Sequence, residues 1–282
     1  QAERAIVAIN YLNSVFPLIM AGAPALGGAL NHAFGFRANF VAVAVLVAFS
    51  FAAAGLFFAE TLPAVQRRPW NTRQLLRDYA TVLRSAPFWL LTLSMCLLFS
   101  LWIAFLSTIS VLFVLELGVP KDRFPLFQSV PLFAWVVASL TSARGIRRLG
   151  VARVKAWGTG VMVVGCVLFP LGAWLTPRNP YVHTACMVLY AFGLNWFQGL
   201  YFPAVMELYP DIKGITSSLV TSARLLIASV VVGLTGWLYD GTIFPMAWAM
   251  VAVAMGVAPM MLQYERRYAT EIAFDPAAAP AH

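Results

Sequence analysis

The sequence predicts an all-α protein that crosses a membrane eight times. Three observations lead there. Of the 282 residues, 61% are hydrophobic and 11% charged, against about 25% charged in an ordinary soluble domain, so the chain lacks the polar residues to cover a globule. The apolar residues lie in runs of the ~20 residues that a helix needs to cross a bilayer. The basic residues between those runs are also unevenly shared between the two sides of such a path. One side holds Arg4, Arg67, Arg68, Arg73, Arg77, Arg84, Arg144, Arg147, Arg148, Arg153, Lys155, Lys213, Arg266 and Arg267. The other holds Arg37, Lys121, Arg123 and Arg178. The richer side is the cytoplasmic one by the positive-inside rule, which puts both termini there. The net charge of +8 is therefore read by location, as a matter of topology, and no nucleic-acid partner is expected.

The eight spans are read at 5–30, 38–59, 88–114, 125–143, 154–175, 181–206, 215–238 and 246–264. The first contains Ala21–Gly28, "AGAPALGG". Pro24 removes a backbone donor and crowds the carbonyl of Met20, and each glycine costs a helix about 1 kcal/mol. In lipid such breaks survive where neighbouring groups satisfy the freed carbonyls. Ala21, Ala25 and Gly28 also make a flat strip on one face, suited to close helix contact. Residues 60–87 hold five arginines, with Leu75, Leu76, Tyr79, Val82 and Leu83 at helical spacing, which predicts a helix lying at the membrane surface. That connection divides the chain into 1–60, 61–87, a six-span segment 88–264 and a tail 265–282.

Several stretches carry a family resemblance. Ala23-Pro24-Ala25-Leu26-Gly27-Gly28, the loop "FGFRANF" and "ETLP" resemble the fifth and sixth helices of major facilitator superfamily drug:proton antiporters, in the Bcr/CflA-like multidrug branch. The antiporter motif there reads approximately G-P-x-x-G-G, and here alanine precedes the proline. "RGIRRLGVARVK" resembles the basic loop between the family's eighth and ninth helices, and "ELYPDIKGITSSLVTSAR" its tenth-to-eleventh connection. The resemblance implies a twelve-helix fold of which this chain holds the last eight, without the first four. It assigns Gly22, Ala23, Pro24, Gly27 and Gly28 to the antiporter motif, on a helix crossing 125–143 opposite Phe127 to Ala134. It further implies a monomer in a bacterial inner membrane that exchanges a small molecule for protons by alternating access. Two three-helix units, 88–175 and 181–264, would form one bundle. The family's coupling acids lie on its first helix, so the chain alone is expected to be inactive.

Read residue by residue, the acids Glu60, Glu116, Asp122, Glu207, Asp211 and Asp240 fall at span ends or in loops, so no proton relay is expected within these spans alone. His32, His183 and His282 are read as loop or tail residues, and no metal or cofactor is expected. Cys96, Cys166 and Cys186 read as small buried hydrophobes. A drug cavity is mostly apolar and aromatic with a few polar groups. The candidates are Asn13, Trp102, Phe105, Phe133, Asn195, Gln198 and Arg224; interhelical hydrogen bonds and lipid-facing aromatics account for the same residue types. Arg224, about nine residues into its span, is expected near mid-membrane, where an arginine must face protein or water. Export, uptake by a symporter of the same superfamily, and a membrane-embedded enzyme are the three functional readings. The last lacks any cluster of acid, base or metal-binding residues.

Overall fold

The computed structural model describes Ala23, residues 26–57, 71–120 and 123–268. Asn13, Gly22, Pro24, most of the first span and the tail beyond 268 lie outside the described residues. Within them, helix α1 covers 26–34, followed by α2 (Phe36–Phe57), α3 (Thr72–Leu83), α4 (Ala86–Val111), α5 (Phe124–Leu149), α6 (Val151–Leu175), α7 (Pro180–Glu207), α8 (Lys213–Trp237) and α9 (Phe244–Arg267). No strand occurs among the described residues.

Two expected loops are almost entirely helical. "FGFRANF" contributes one non-helical residue, Gly35 at φ +78°, between α1 and α2. The basic stretch 144–155 likewise breaks only at Gly150, also at φ +78°, between α5 and α6. The reason is physical. Charge marks where the chain leaves hydrocarbon, but a helix continues until its backbone is turned, and here a glycine in the left-handed region turns it. At the other end, α4 runs on through a π-turn at Leu112–Glu116, closed by Leu117 N–H to the Leu112 carbonyl at 2.9 Å.

The surface helix predicted in the long connection is α3, capped by Asn71, whose side chain accepts from the N–H groups of Arg73 and Gln74 at 3.1 and 3.2 Å. Val82 is fully buried, Leu75 and Tyr79 half-buried, and Leu76 and Leu83 exposed. α3 touches α4 and α8.

The buried core is drawn from Val82 onward, and no residue of α2 is buried. α4 packs chiefly on α8 and α9, α7 on α5 and α6, and α6 meets α9. This pairing is preserved when the first three bundle helices are exchanged in order for the last three. Single side-chain bonds tie the interfaces. The Tyr190 hydroxyl donates to the Leu98 carbonyl at 2.6 Å, and Trp196 Nε1 to the Ala138 carbonyl at 3.0 Å. Cys96 lies 3.9 Å from the Val220 carbonyl and Cys166 3.8 Å from that of Met250. All three cysteines are free and buried.

The closest approach is α6 on α7, and glycine makes it possible. Gly158, Gly165 and Gly172 recur every seven residues on α6 and are all buried. A Cβ on Gly165 would stand 2.6 Å from the Tyr190 amide nitrogen, and one on Gly158 2.8 Å from Trp196 Cβ. From the other side, a Cβ on Gly193 would meet the Met162 amide nitrogen and stand 2.6 Å from the Gly158 carbonyl oxygen. In lipid, where no hydrophobic force draws helices together, backbone proximity of this kind supplies the contact energy.

Candidate functional site

Arg224 is the eleventh residue after Lys213 in the 25-residue α8, or roughly 16 Å along at 1.5 Å per residue, near mid-helix. Its side chain turns inward, away from Leu225 and Leu226, which are 64% and 68% exposed. The guanidinium carbon lies 4.9 Å from the ring centre of Phe99 on α4 and 5.9 Å from that of Phe202 on α7. Both distances are within the range of a cation–π contact. Its Nε is buried without a hydrogen-bond partner. The ion pairs among the described residues are Lys155–Glu265 and Lys213–Glu207, so no described carboxylate lies within ion-pair distance of Arg224.

An aromatic chain continues from this point. Phe99 meets Trp135 of α5 edge-on at 6.4 Å, and Trp135 stacks on Trp102 of α4 at 5.7 Å. Phe99, Trp135 and Trp102 thus form a chain of rings from α4 to α5, and Phe99 and Phe202 are the two rings that lie against the cation. Gln198, one turn before Phe202, is 8% exposed, and its Nε2 has no partner. Asn195 is half-buried on the same helix.

The other candidates are dispersed. Trp102 is fully buried, with Nε1 unpartnered, so it backs the cluster without lining an open surface. Phe105 is 1% exposed and packs edge-on against Phe169 of α6 at 6.0 Å, which makes it core. Phe133 is 64% exposed and points away from the cluster that Trp135 joins. Two residues are about 200° apart around a helix, so the two aromatics of α5 face nearly opposite ways. Ala23 and Gly28 are exposed, and nothing lies within 4 Å of a Cβ on Gly28. Gly27 is half-buried, and a Cβ there would meet Asn39 at 3.9 Å. Of the residues expected to meet α5, Gly28 alone is described; Gly22 and Ala25 lie outside the described residues. Phe127, expected opposite it, packs on Phe113 and Tyr181 at 5.5 and 5.0 Å.

His183 is not a loop residue. It is buried in the first turn of α7, where its Nε2 lies 3.1 Å from the Pro177 carbonyl. Among the described residues no group of three or more His, Cys, Asp or Glu is placed to hold a metal. The α8–α9 loop acid Asp240 accepts from the Thr242 hydroxyl at 2.5 Å and the Thr242 N–H at 3.0 Å. The hydroxyl bond holds its carboxyl below the usual range and keeps it ionised.

Residues 2–233 match the Major Facilitator Superfamily. The chain belongs to that superfamily. This major-facilitator chain is 28% identical over 174 residues to the multidrug transporter MdfA of Yersinia pestis bv. Antiqua, a match covering 61% of the chain and 42% of the relative. It is 27% identical over 243 residues to the multidrug resistance protein MdtM of Escherichia coli O157:H7, covering 83% and 57%. A bicyclomycin resistance protein homolog of Haemophilus influenzae is 22% identical over 258 residues, covering 86% and 61%. The chain thus spans about two-fifths to three-fifths of the length of these relatives. In fold it is similar to a bacterial homologue of the iron transporter ferroportin in its outward-facing state. That likeness has a TM-score of 0.63 at 19% identity and covers 92% of this chain and 64% of that one. The superfamily is one of transporters, not enzymes, which removes the membrane-embedded enzyme.

Trp102 tests whether the aromatic cluster has a mainly structural base. Trp102→Ala removes a fully buried indole and its stacking partner's support, and should cost about 3–5 kcal/mol. Thermal unfolding in detergent should show this as a clear drop in melting temperature.

Proposed function

We propose that this chain provides the C-terminal part of a proton-coupled exporter of drugs or small metabolites, of the Bcr/CflA-like branch. What carries the reading is the similarity to multidrug transporters over as many as 243 residues. The position of Arg224 supports it, since a half-buried cation held against aromatic faces suits a cavity that reads both apolar bulk and charge. In this reading α4–α9 are one bundle of two inverted three-helix units, and Arg224, Asn195 and Gln198 face the translocation path. A second bundle must rock against it for alternating access. A partner carboxylate for Arg224, and the coupling acids, belong to that second bundle, so the 282 residues assayed alone should not transport. The protein acts as a monomer in the bacterial inner membrane, with both termini cytoplasmic and the strip at Gly22–Gly28 helping to seal one end of the path.

The test is substrate flux in inverted membrane vesicles carrying a chain with both bundles. Accumulation of a drug that collapses when a protonophore is added is the expected result. Inward transport in intact cells would favour the symporter, and flux unaffected by the protonophore would remove proton coupling.

A further inference from the structure

A groove of about 860 Å³ runs between α6 and α9, floored by Phe197 and Tyr201 of α7. It shares no residue with the Arg224 cluster. On α6 it extends from Ala152 to Val167 and on α9 from Glu265 to Ala254, or roughly 17–22 Å at 1.5 Å per residue. That is about one leaflet of a hydrocarbon core ~30 Å thick, with a little to spare. Apart from Thr159 its walls are apolar except at one end, the end that the basic residues assign to the cytoplasm. There Lys155 pairs with Glu265 Oε1 at 2.5 Å, the Tyr201 hydroxyl donates to the same oxygen at 2.8 Å, and the Lys155 ammonium lies 5.6 Å from the Tyr201 ring centre. Lys155 and Glu265 remain 36% and 32% exposed, so both can still meet a ligand.

We propose that this groove is a binding site for a zwitterionic phospholipid with a primary ammonium head group, phosphatidylethanolamine. An acyl chain of the cytoplasmic leaflet fills the apolar slot. The phosphate takes the free donors of Lys155, and the ammonium donates to the Glu265 carboxylate. The mouth carries one positive and one negative side chain side by side, and the head group carries the opposite pair at the same spacing of a few bonds. A choline head group keeps the charges but has no N–H to donate, and a glycerol head group brings only the anion. Charge-assisted hydrogen bonds are the term that separates the three.

Gly160 provides the test of the slot. It lines the groove, and a Cβ there would meet nothing within 4 Å, so a larger side chain enters the groove without touching the core. Native mass spectra of the purified chain in detergent, titrated with palmitoyl-oleoyl phosphatidylethanolamine, -choline and -glycerol in parallel, read the occupancy. The ethanolamine lipid should exceed the choline lipid by about fivefold. Gly160→Phe should lower all three adducts, with helicity and elution volume unchanged. Glu265→Gln leaves a net positive mouth and should invert the order, putting the glycerol lipid above the ethanolamine lipid. Equal occupancy by the three lipids in the unaltered chain, or a glycerol-lipid preference there, overturns the proposal. So does unchanged binding in folded Gly160→Phe. The preference of the unaltered chain is measured without any variant, so a misfolding substitution does not remove the test.

Discussion

Arg224→Gln, placed in a chain carrying both bundles, should reduce drug flux at least about tenfold while leaving insertion and abundance intact. Insertion should be helped, since a central arginine costs at least about 2.5 kcal/mol on translocon scales. The loss should not be recovered by Arg224→Lys. A lysine restores the charge but not the planar group that lies against Phe99 and Phe202. Flux in vesicles across a pH series, alongside melting temperature, separates the possibilities. A purely structural arginine would lower the melting temperature and leave flux per folded molecule unchanged, and that outcome would remove Arg224 from the transport path.

The second large effect concerns Gly193. Gly193→Leu should abolish the folded bundle, seen as loss of the monodisperse peak in size exclusion. Overpacking costs about 1–3 kcal/mol where side chains can give way, but here the added atoms meet the backbone of Met162 and Gly158 on the facing helix. Neither can move without separating α6 from α7. Gly199→Ala, on the same helix with nothing within 4 Å of its new Cβ, should elute like the unaltered chain. Normal elution of Gly193→Leu would show that the helices do not approach as described.

Much of this architecture was legible in the sequence, because bilayer thickness and the cost of buried charge act on each helix separately. Helices α4–α9 and the mid-helix place of Arg224 follow from long apolar runs and counting alone. The helix ends do not, because hydropathy records the edge of the hydrocarbon and α5 continues past it to Leu149. The aromatic partners of Arg224 were only half visible. Nothing local distinguishes Phe133 from Trp135, and only the packing of α5 on α7 decides which faces inward. Phe99 had a signal, lying one turn before Trp102 on the same helix. The spacing of Gly158, Gly165 and Gly172 was also open to reading, and it marks the tightest interface of the bundle. The partner of the small-residue strip that ends at Gly28 was not legible. Small residues indicate where close packing is possible, and the described residues place no α5 contact on Gly28.

The character of α7 has a consequence for biogenesis. Six described helices are long and apolar enough to cross a membrane on their own composition. α7, at 28 residues, is not among them despite its length. His183, Asn195 and Gln198 dilute its apolarity, and the same helix is among the most heavily covered by its neighbours. A segment like this gains little from lipid when it leaves the translocon, and gains a great deal from α5 and α6, which emerge just before it and present the glycine-lined surface it fits. Order of synthesis and order of assembly then coincide: the partners that make α7 tolerable to the bilayer are the two helices that the ribosome has just delivered.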